Sequence, residues 1–360
     1  MKKNILEICL SPDLGGLELC VLDYYNYFSM QTNTFLSVSP NSKLDKFVKT
    51  DNKFLLKRNK FFPLLPALKL AKFIDANTID IVHFHWTRDI ATVVLAKIIS
   101  RRKPKVIQSR HMTMTRFKDD FYHKWLYKNI DIIHAVTNQV KEQLERFIPQ
   151  DVRPQVKMVY LGVDEPKVDT EKIKSLRKEY GLEDAFVIGI VGRIEEGKGQ
   201  YLVIEALEAL KNLNIKALIV GHTMDEKYLL DLKNKAKLLG VQERIVFSGF
   251  TKDINEHMQL CDVTVLATPK ETFGLVVIES MVNKVPVIAT NNGGPLEIIE
   301  DRVDGLLFDR STEDLVKKIE MLYENQVLKN ELAQNVHEKV KSMFDKKTQM
   351  SKMYEVINES

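Results

Sequence analysis

Phe-Val-Ile-Gly-Ile-Val at 186–191, running into Gly-Arg-Ile-Glu-Glu-Gly-Lys-Gly-Gln at 192–200, is the stretch that decides the fold. Its six apolar or small residues are too continuous for a half-exposed strand, so they read as a buried parallel strand covered on both faces. Gly192, Gly197 and Gly199 then allow tight turns, and Tyr201–Leu210 reads as a helix. Strand, glycine loop and helix open a doubly wound α/β unit. The stretch lies in the middle of a 360-residue chain, so it marks the start of a second unit.

On its carboxyl side, further strands are expected at 216–220, 244–247, 262–266 and 285–288, separated by helices, with long helical stretches from Thr312 onward. On its amino side, residues 161–185 read as a linker containing Gly162, Pro166 and a charged helix from Thr170 to Tyr180. Before the linker, strands are expected at 5–10, 34–38, 80–85, 105–109, 131–136 and 156–160. Helical patterns at Leu64–Ala76, Ile90–Ser100, Phe121–Lys128 and Gln139–Phe147 lie between several of these. The architecture is therefore two Rossmann-like α/β domains in series, 1–165 and 166–345. Ligands of such sheets bind outside the carboxyl ends of the strands, and two facing domains would bring both sets of loops to one cleft.

The composition, 44% hydrophobic and 28% charged, is that of a globular protein. Cys9, Cys20 and Cys261 have neither CxxC nor metal spacing, which points to a reducing cytosol. Lys2 and Lys3 before Ile-Leu-Glu-Ile-Cys-Leu resemble a leader, but Glu7 interrupts the apolar run and a first buried strand is the better reading. No window approaches the ~18 apolar residues of a spanning helix. Residues 1–165 carry 26 Lys and Arg against 17 Asp and Glu, whereas residues 166–360 carry 27 against 32. A basic half and an acidic half imply different partners.

The loops after the strands hold the chemistry. In 192–200, Arg193 and Lys198 place two cations beside a helix start, which suits a diphosphate. Thr268–Glu279 sets Glu271 and Glu279 around Phe273-Gly274-Leu275 at another helix start. Carboxylates accept hydrogen bonds from vicinal hydroxyls, while the backbone N–H groups of Gly274 and Leu275 suit an oxygen of phosphate or sugar. Gly293 and Gly294 before Pro295 read as a further helix N-terminus turned toward the ligand. Phe250 follows the strand at 244–247, where a nucleobase could meet loop backbone.

In the first half, Gly15 and Gly16 can open a helix against an anion, but no GxGxxG follows, which disfavours a dinucleotide enzyme. His83 and His85 share one strand face, without Cys, Asp or Glu at ligand spacing in the sequence. His83 is expected to pack in the core or the cleft, and His85 to lie at the cleft edge. His111, past the strand at 105–109, can donate a hydrogen bond or move a proton. Basic stretches at 53–62 and 101–105 suggest an anionic surface or a phosphate-bearing acceptor.

Taken in order, Gly192-Arg193, Lys198-Gly199, Glu271 with Glu279 about Phe273-Gly274-Leu275, and Gly293-Gly294 resemble the retaining GT-B glycosyltransferases of family 4, the group 1 type. Gly15-Gly16, His83-Phe84-His85 and His111 support the resemblance, which spans nearly the whole chain. It implies an enzyme that moves a hexosyl group from a UDP-sugar, or next GDP-mannose, to a cell-surface glycan or lipid-linked acceptor. Polysaccharide or lipopolysaccharide biosynthesis at the inner face of the plasma membrane would be its setting. The second domain would bind the donor and the first the acceptor, with a final helix at about 346–360 crossing back. Arg193 and Lys198 would hold the diphosphate, Glu279 the ribose, and Glu271 with the 273–275 backbone the sugar. Gly15 and Gly16 would approach the phosphate, while His85 and His111 would face the acceptor, His111 with a catalytic part. The family implies no metal and no cofactor, the nucleotide sugar being a co-substrate, and nucleic acid is not an expected partner. Glu195-Glu196 and Gly221-His222-Thr223 depart from its pattern. A nucleotide-sugar epimerase of the same fold and an inactive sugar-binding module are the rival readings. Epimerases lack this Glu pair, and the intact Arg193, Lys198, Glu271 and Glu279 argue against inactivity.

Overall fold

The protein is described here by a computed structural model covering residues 3–359. Lys2 of the leader-like start and Ser360 at the end of the expected final helix lie outside the described residues. The chain forms two compact units, Met1–Tyr160 with Thr348–Ser360, and Leu161–Lys347.

The first unit is a seven-stranded sheet of β1 (Asn4–Cys9), β2 (Asn33–Val38), β3 (Lys53–Leu55), β4 (Ile81–Phe84), β5 (Lys105–Arg110), β6 (Ile132–Ala135) and β7 (Gln155–Met158). The second is a six-stranded sheet of β8 (Phe186–Val191), β9 (Ile215–Val220), β10 (Ile245–Gly249), β11 (Val263–Leu266), β12 (Val287–Thr290) and β13 (Leu306–Phe308). Every pairing is parallel. The strand orders are β3-β2-β1-β4-β5-β6-β7 and β10-β9-β8-β11-β12-β13. In each, the chain starts mid-sheet, winds outward, returns and winds the other way. The crevices outside β1/β4 and β8/β11 are therefore the switch points at which such sheets take ligands.

The stretch 186–191 is β8, at the centre of its sheet and buried over its first five residues. The leader-like run is β1, likewise central and buried from Ile5 to Cys9. Helices fall at Leu64–Ala76, Phe121–Lys128 and Asn138–Phe147, within a residue of the periodicity. The long carboxyl-terminal pattern resolves into Thr312–Glu324, Gln326–Met343 and Lys346–Asn358.

Two strands were not expected. β3 occupies the start of the basic stretch at 53–62, and β13 is three residues long. Both are edge strands, too short to show a period. The strand expected at 285–288 begins two residues later, beyond Pro286, which has no N–H for the ladder.

Candidate functional site

At the second unit's switch point, the loop after β8 leads through a 3₁₀ turn (Glu196–Lys198) into the helix Gln200–Ala209. Gly199 heads that helix at φ 73°, and a Cβ there would lie 2.8 Å from the carbonyl oxygen and the Cβ of Ala267, just past β11. The two loops are thus packed together at a position where only glycine fits. The loop after β11 ends at Gly274, φ 98°, heading the helix Leu275–Val282. Neither Gly199 nor Gly274 offers a side-chain cap, so both helix starts leave N–H groups and positive dipole ends for a ligand.

Between them, Lys198 Nζ lies 3.2 Å from Glu271 Oε2 and 3.5 Å from Thr268 Oγ1. Both members of the ion pair are about a quarter exposed, which leaves them within reach of a ligand. Arg193 pairs with Glu195 at 3.0 Å, and its carbonyl accepts from the buried Gln200 amide. Leu275, Val276 and Glu279 are the half-exposed positions of their helix. Phe273 can offer only its backbone, since its ring is buried against Phe344 with centroids 6.0 Å apart. Phe250 is exposed after β10, with its ring edge-on to His222 at 6.3 Å.

The Gly293-Gly294 expectation holds in part, with Gly294 and Pro295 opening the helix Pro295–Ile298. These glycines are buried under the Glu271 loop instead of facing a ligand. A Cβ on Gly293 would collide with the Glu271 carbonyl, and one on Gly294 with the backbone of Thr272 and Phe273. Gly294 N–H donates to Glu271 O at 2.8 Å, Asn292 Nδ2 to Pro269 O at 2.9 Å, and Thr290 Oγ1 to Thr268 O at 2.9 Å. The loop after β12 is the bed that holds Glu271. Thr268, Thr290 and Asn292 were not singled out, because only the packing of the two loops reveals their part.

In the first unit, Gly15 N–H donates to Glu18 Oε2 at 2.9 Å, and the helix Gly16–Ser29 follows. Glu18 thus occupies part of the helix start that was expected to meet phosphate. Opposite lies a buried polar row. β1 and β4 pair Glu7 with His83, and β5 and β6 pair Ser109 with His134. Alternation puts all of these side chains on the sheet face covered by Tyr24 of helix Gly16–Ser29. His83 lies 3.0 Å from Glu7 and 2.8 Å from Ser109, and Ser109 lies 2.7 Å from His134. His85 lies 2.7 Å from Glu7 and 3.2 Å from His111.

Two expectations change. A carboxylate does lie beside His83 and His85, brought in by strand pairing across 76 residues of sequence. Their donor atoms and Glu7 fall within 4.8 Å of one another, a set that a metal ion could use, yet hydrogen bonds already engage each group. His85, expected at the site edge facing the acceptor, is fully buried with both ring nitrogens engaged, so it can act only through His111. Burial drives these groups toward neutrality: the Glu7 carboxyl is raised well above its usual range, His83 falls to about 3, His134 to about 4, and His85 well below its usual value. His111 is half-buried past β5 and falls to about 3 through burial, then through the neighbouring histidines and Arg110. Arg110 braces its loop, donating to Met112 O at 2.7 Å and Thr113 O at 3.0 Å.

This site set coincides with two family matches. The model of glycosyl transferases group 1 matches residues 172–342, and that of glycosyltransferase family 4 matches residues 14–166. The chain is a glycosyltransferase of this family. The enzyme is 25% identical to N-acetyl-alpha-D-glucosaminyl L-malate synthase of Bacillus anthracis, over 86% of this chain and 82% of that one. It is 26% identical to the O-antigen biosynthesis glycosyltransferase WclY of Escherichia coli, over 78% and 79%. The glycosyltransferase has the two-domain GT-B fold, matching HepE of Anabaena in complex with UDP and glucose at a TM-score of 0.87, with 21% identity and 99% of both chains covered.

Proposed function

We propose that the enzyme transfers a hexosyl group, with retention and without a metal ion, from a nucleotide-diphosphate sugar to a surface glycan or lipid-linked acceptor. A UDP-sugar is the first candidate donor and GDP-mannose the second. The observation that carries this reading is the Lys198–Glu271 pair at 3.2 Å, set between two uncapped helix starts. A diphosphate brings negative charge to Lys198 and Arg193 and to the N–H groups of both helices. Glu271, released from Lys198, can then accept from sugar hydroxyls. Glu279, about 7.5 Å along its helix from Gly274 at ~1.5 Å per residue, is placed for the ribose. As the glycosidic bond breaks, an oxocarbenium-like centre forms and charge grows on the departing diphosphate. Lys198 and Arg193 stabilise that charge where an ion would otherwise be needed. The UDP and glucose bound by HepE support the donor class.

The acceptor reading draws on the first unit. Phe61 and Phe62 are 77% and 69% exposed, and Leu65 is 64% exposed beside Lys57, Arg58, Lys60 and Lys69. Apolar side chains set among cations suit an anionic bilayer carrying a lipid-linked acceptor. Among the described residues no helix is long and apolar enough to cross a membrane, so attachment here would be peripheral. O-antigen biosynthesis, named for WclY, supports a polysaccharide or lipopolysaccharide setting.

Incubation with UDP-, GDP- and ADP-sugars, read as nucleotide release and thermal shift, tests the donor. Folded protein that responds to none of them would defeat the proposal. Glu271→Ala should abolish turnover and leave UDP or GDP binding, and equal loss of both would remove the sugar-contact role. Vesicle co-sedimentation should need anionic lipid and weaken with salt. Transfer to a small hydroxy acid with no response to lipid would instead favour the acceptor type named for the B. anthracis relative.

A further inference from the structure

The buried row beneath His111 forms one continuous chain of six hydrogen bonds, His111–His85–Glu7–His83–Ser109–His134–Val159. Its far end fixes its direction. The Val159 carbonyl can only accept, so His134 Nε2, 2.8 Å away, carries a proton. A neutral His134 then has a bare Nδ1, which must accept from the Ser109 hydroxyl at 2.7 Å. Ser109, having spent its proton, accepts from His83 Nε2–H at 2.8 Å. His83 Nδ1 is thereby bare, and the bond of 3.0 Å to Glu7 Oε1 exists only if the proton sits on the carboxyl. The other carboxyl oxygen accepts from His85 Nε2–H at 2.7 Å, and His85 Nδ1 accepts from His111 Nε2–H at 3.2 Å.

Each bond uses one proton, each neutral group supplies one, and no buried charge is left over. The alternative of an ionised Glu7 places a cation on His83 or His134, and both are 0% exposed. Separating charge there costs more than the neutral arrangement, which satisfies the same bonds. Tyr24 covers the row from helix Gly16–Ser29, and Arg110 turns its guanidinium to Met112 O, Thr113 O and Thr87 Oγ1.

We propose that Glu7 is a protonated carboxylic acid and, with His85, a positioning residue that locks His111 as the Nε2–H tautomer, so that the enzyme presents the bare His111 Nδ1 as an acceptor for a substrate hydroxyl. The part given to the substrate rests on the transferase reading above, whereas the proton order within the chain does not. His111 then accepts from and orients a hydroxyl and does not donate to an oxygen. The chain ends on a carbonyl, so it fixes orientation and carries no proton out to solvent.

The experiment is long-range ¹H–¹⁵N correlation of histidine rings in the whole protein at pH 7, assigned with single His→Gln variants. We expect His83, His85, His111 and His134 all to be neutral Nε2–H forms. An imidazolium or an Nδ1–H tautomer at any of the four overturns the proposal. Glu7→Gln, whose amide donates to His83 and accepts from His85, should keep the four signatures and the activity. Glu7→Leu should release His111 into mixed tautomers and lower kcat by about 10- to 100-fold through lost orientation, with donor KM unchanged. Glu7→Leu matching Glu7→Gln in both readouts also overturns it. Should Glu7→Leu fail to fold, the wild-type spectrum alone decides. A protein that transfers no sugar but shows the four Nε2–H forms counts against the transferase reading and for the chain.

Discussion

At the ends of β8 and β11, the second unit holds Lys198 and Glu271 as an accessible ion pair. At the matching place in the first unit, Glu7, His83 and His85 are sealed under Tyr24 and driven neutral. Six strands of each sheet follow the same winding, so topology does not account for the difference. Position along the strand does. Lys198 and Glu271 lie in loops beyond the last ladder residue, where water and ligand reach them. Glu7 and His83 lie within strands, on a face that a helix covers. One sheet can thus hold charge for a ligand at its rim and uncharged hydrogen-bonding groups as internal scaffolding a few residues earlier.

Lys198→Ala should give the largest effect, lowering kcat by about 10²- to 10³-fold if the pair stabilises charge on the leaving group. A loss of only a few-fold in steady-state assays would mean that the exposed pair is no more catalytic than the buried row. The next effect comes from acid. His83, His85 and His134 are held below their unfolded values, so the unfolded chain binds their protons as pH falls through about 6.5. Stability from these three is present above that range and is lost below it. Glu7 is raised, so its contribution runs the other way, present below about 4.5 and lost as pH rises. Near pH 5, unfolding should therefore take up about two protons net from these four groups, and His111, lowered in the same direction, adds about one more. Calorimetric midpoints that stay flat between pH 6.5 and 4.5 would contradict a neutral, buried first-unit network.

Backbone substitution separates the units further. Gly293→Ala meets both a φ of 73° and the Glu271 carbonyl, and should destabilise by more than about 2 kcal/mol in denaturant titrations. Gly15→Ala, with an extended backbone and 3.6 Å to Glu18 Oε2, should cost less than about 1 kcal/mol. Equal losses would show that the bed under Glu271 is not special. The smallest effect is expected at the surface. Phe61→Ser with Phe62→Ser should weaken binding to anionic vesicles by about tenfold or more, as expected for two withdrawn aromatic anchors, and leave folding unchanged. Unaltered sedimentation would place the acceptor side of the first unit away from lipid.

Much of this was legible in the residues. Continuous apolar strands required parallel sheets covered on both faces, and the glycine loops after 186–191 and 262–266 carry the residues that form the Lys198–Glu271 pair. The supporting layer was not legible. Gly293 and Gly294 look like one more helix start facing a ligand until packing puts them under Glu271. Glu7 looks like a flaw in an apolar run until β1 pairs with β4. One signal was available: a lone carboxylate inside a buried strand needs a partner, and His83 lay on the neighbouring strand β4 with His85 just past its end.

The sequence by itself determined the doubly wound α/β architecture, the restart at 186 and the positions of the glycine loops, because strand burial and glycine turns are local properties written in consecutive residues. Only the tertiary structure decided which polar groups stay charged. Burial and hydrogen-bond partners come from strand register and from the helix laid over the sheet, which join residues as distant as His111 and Glu7 into one chain.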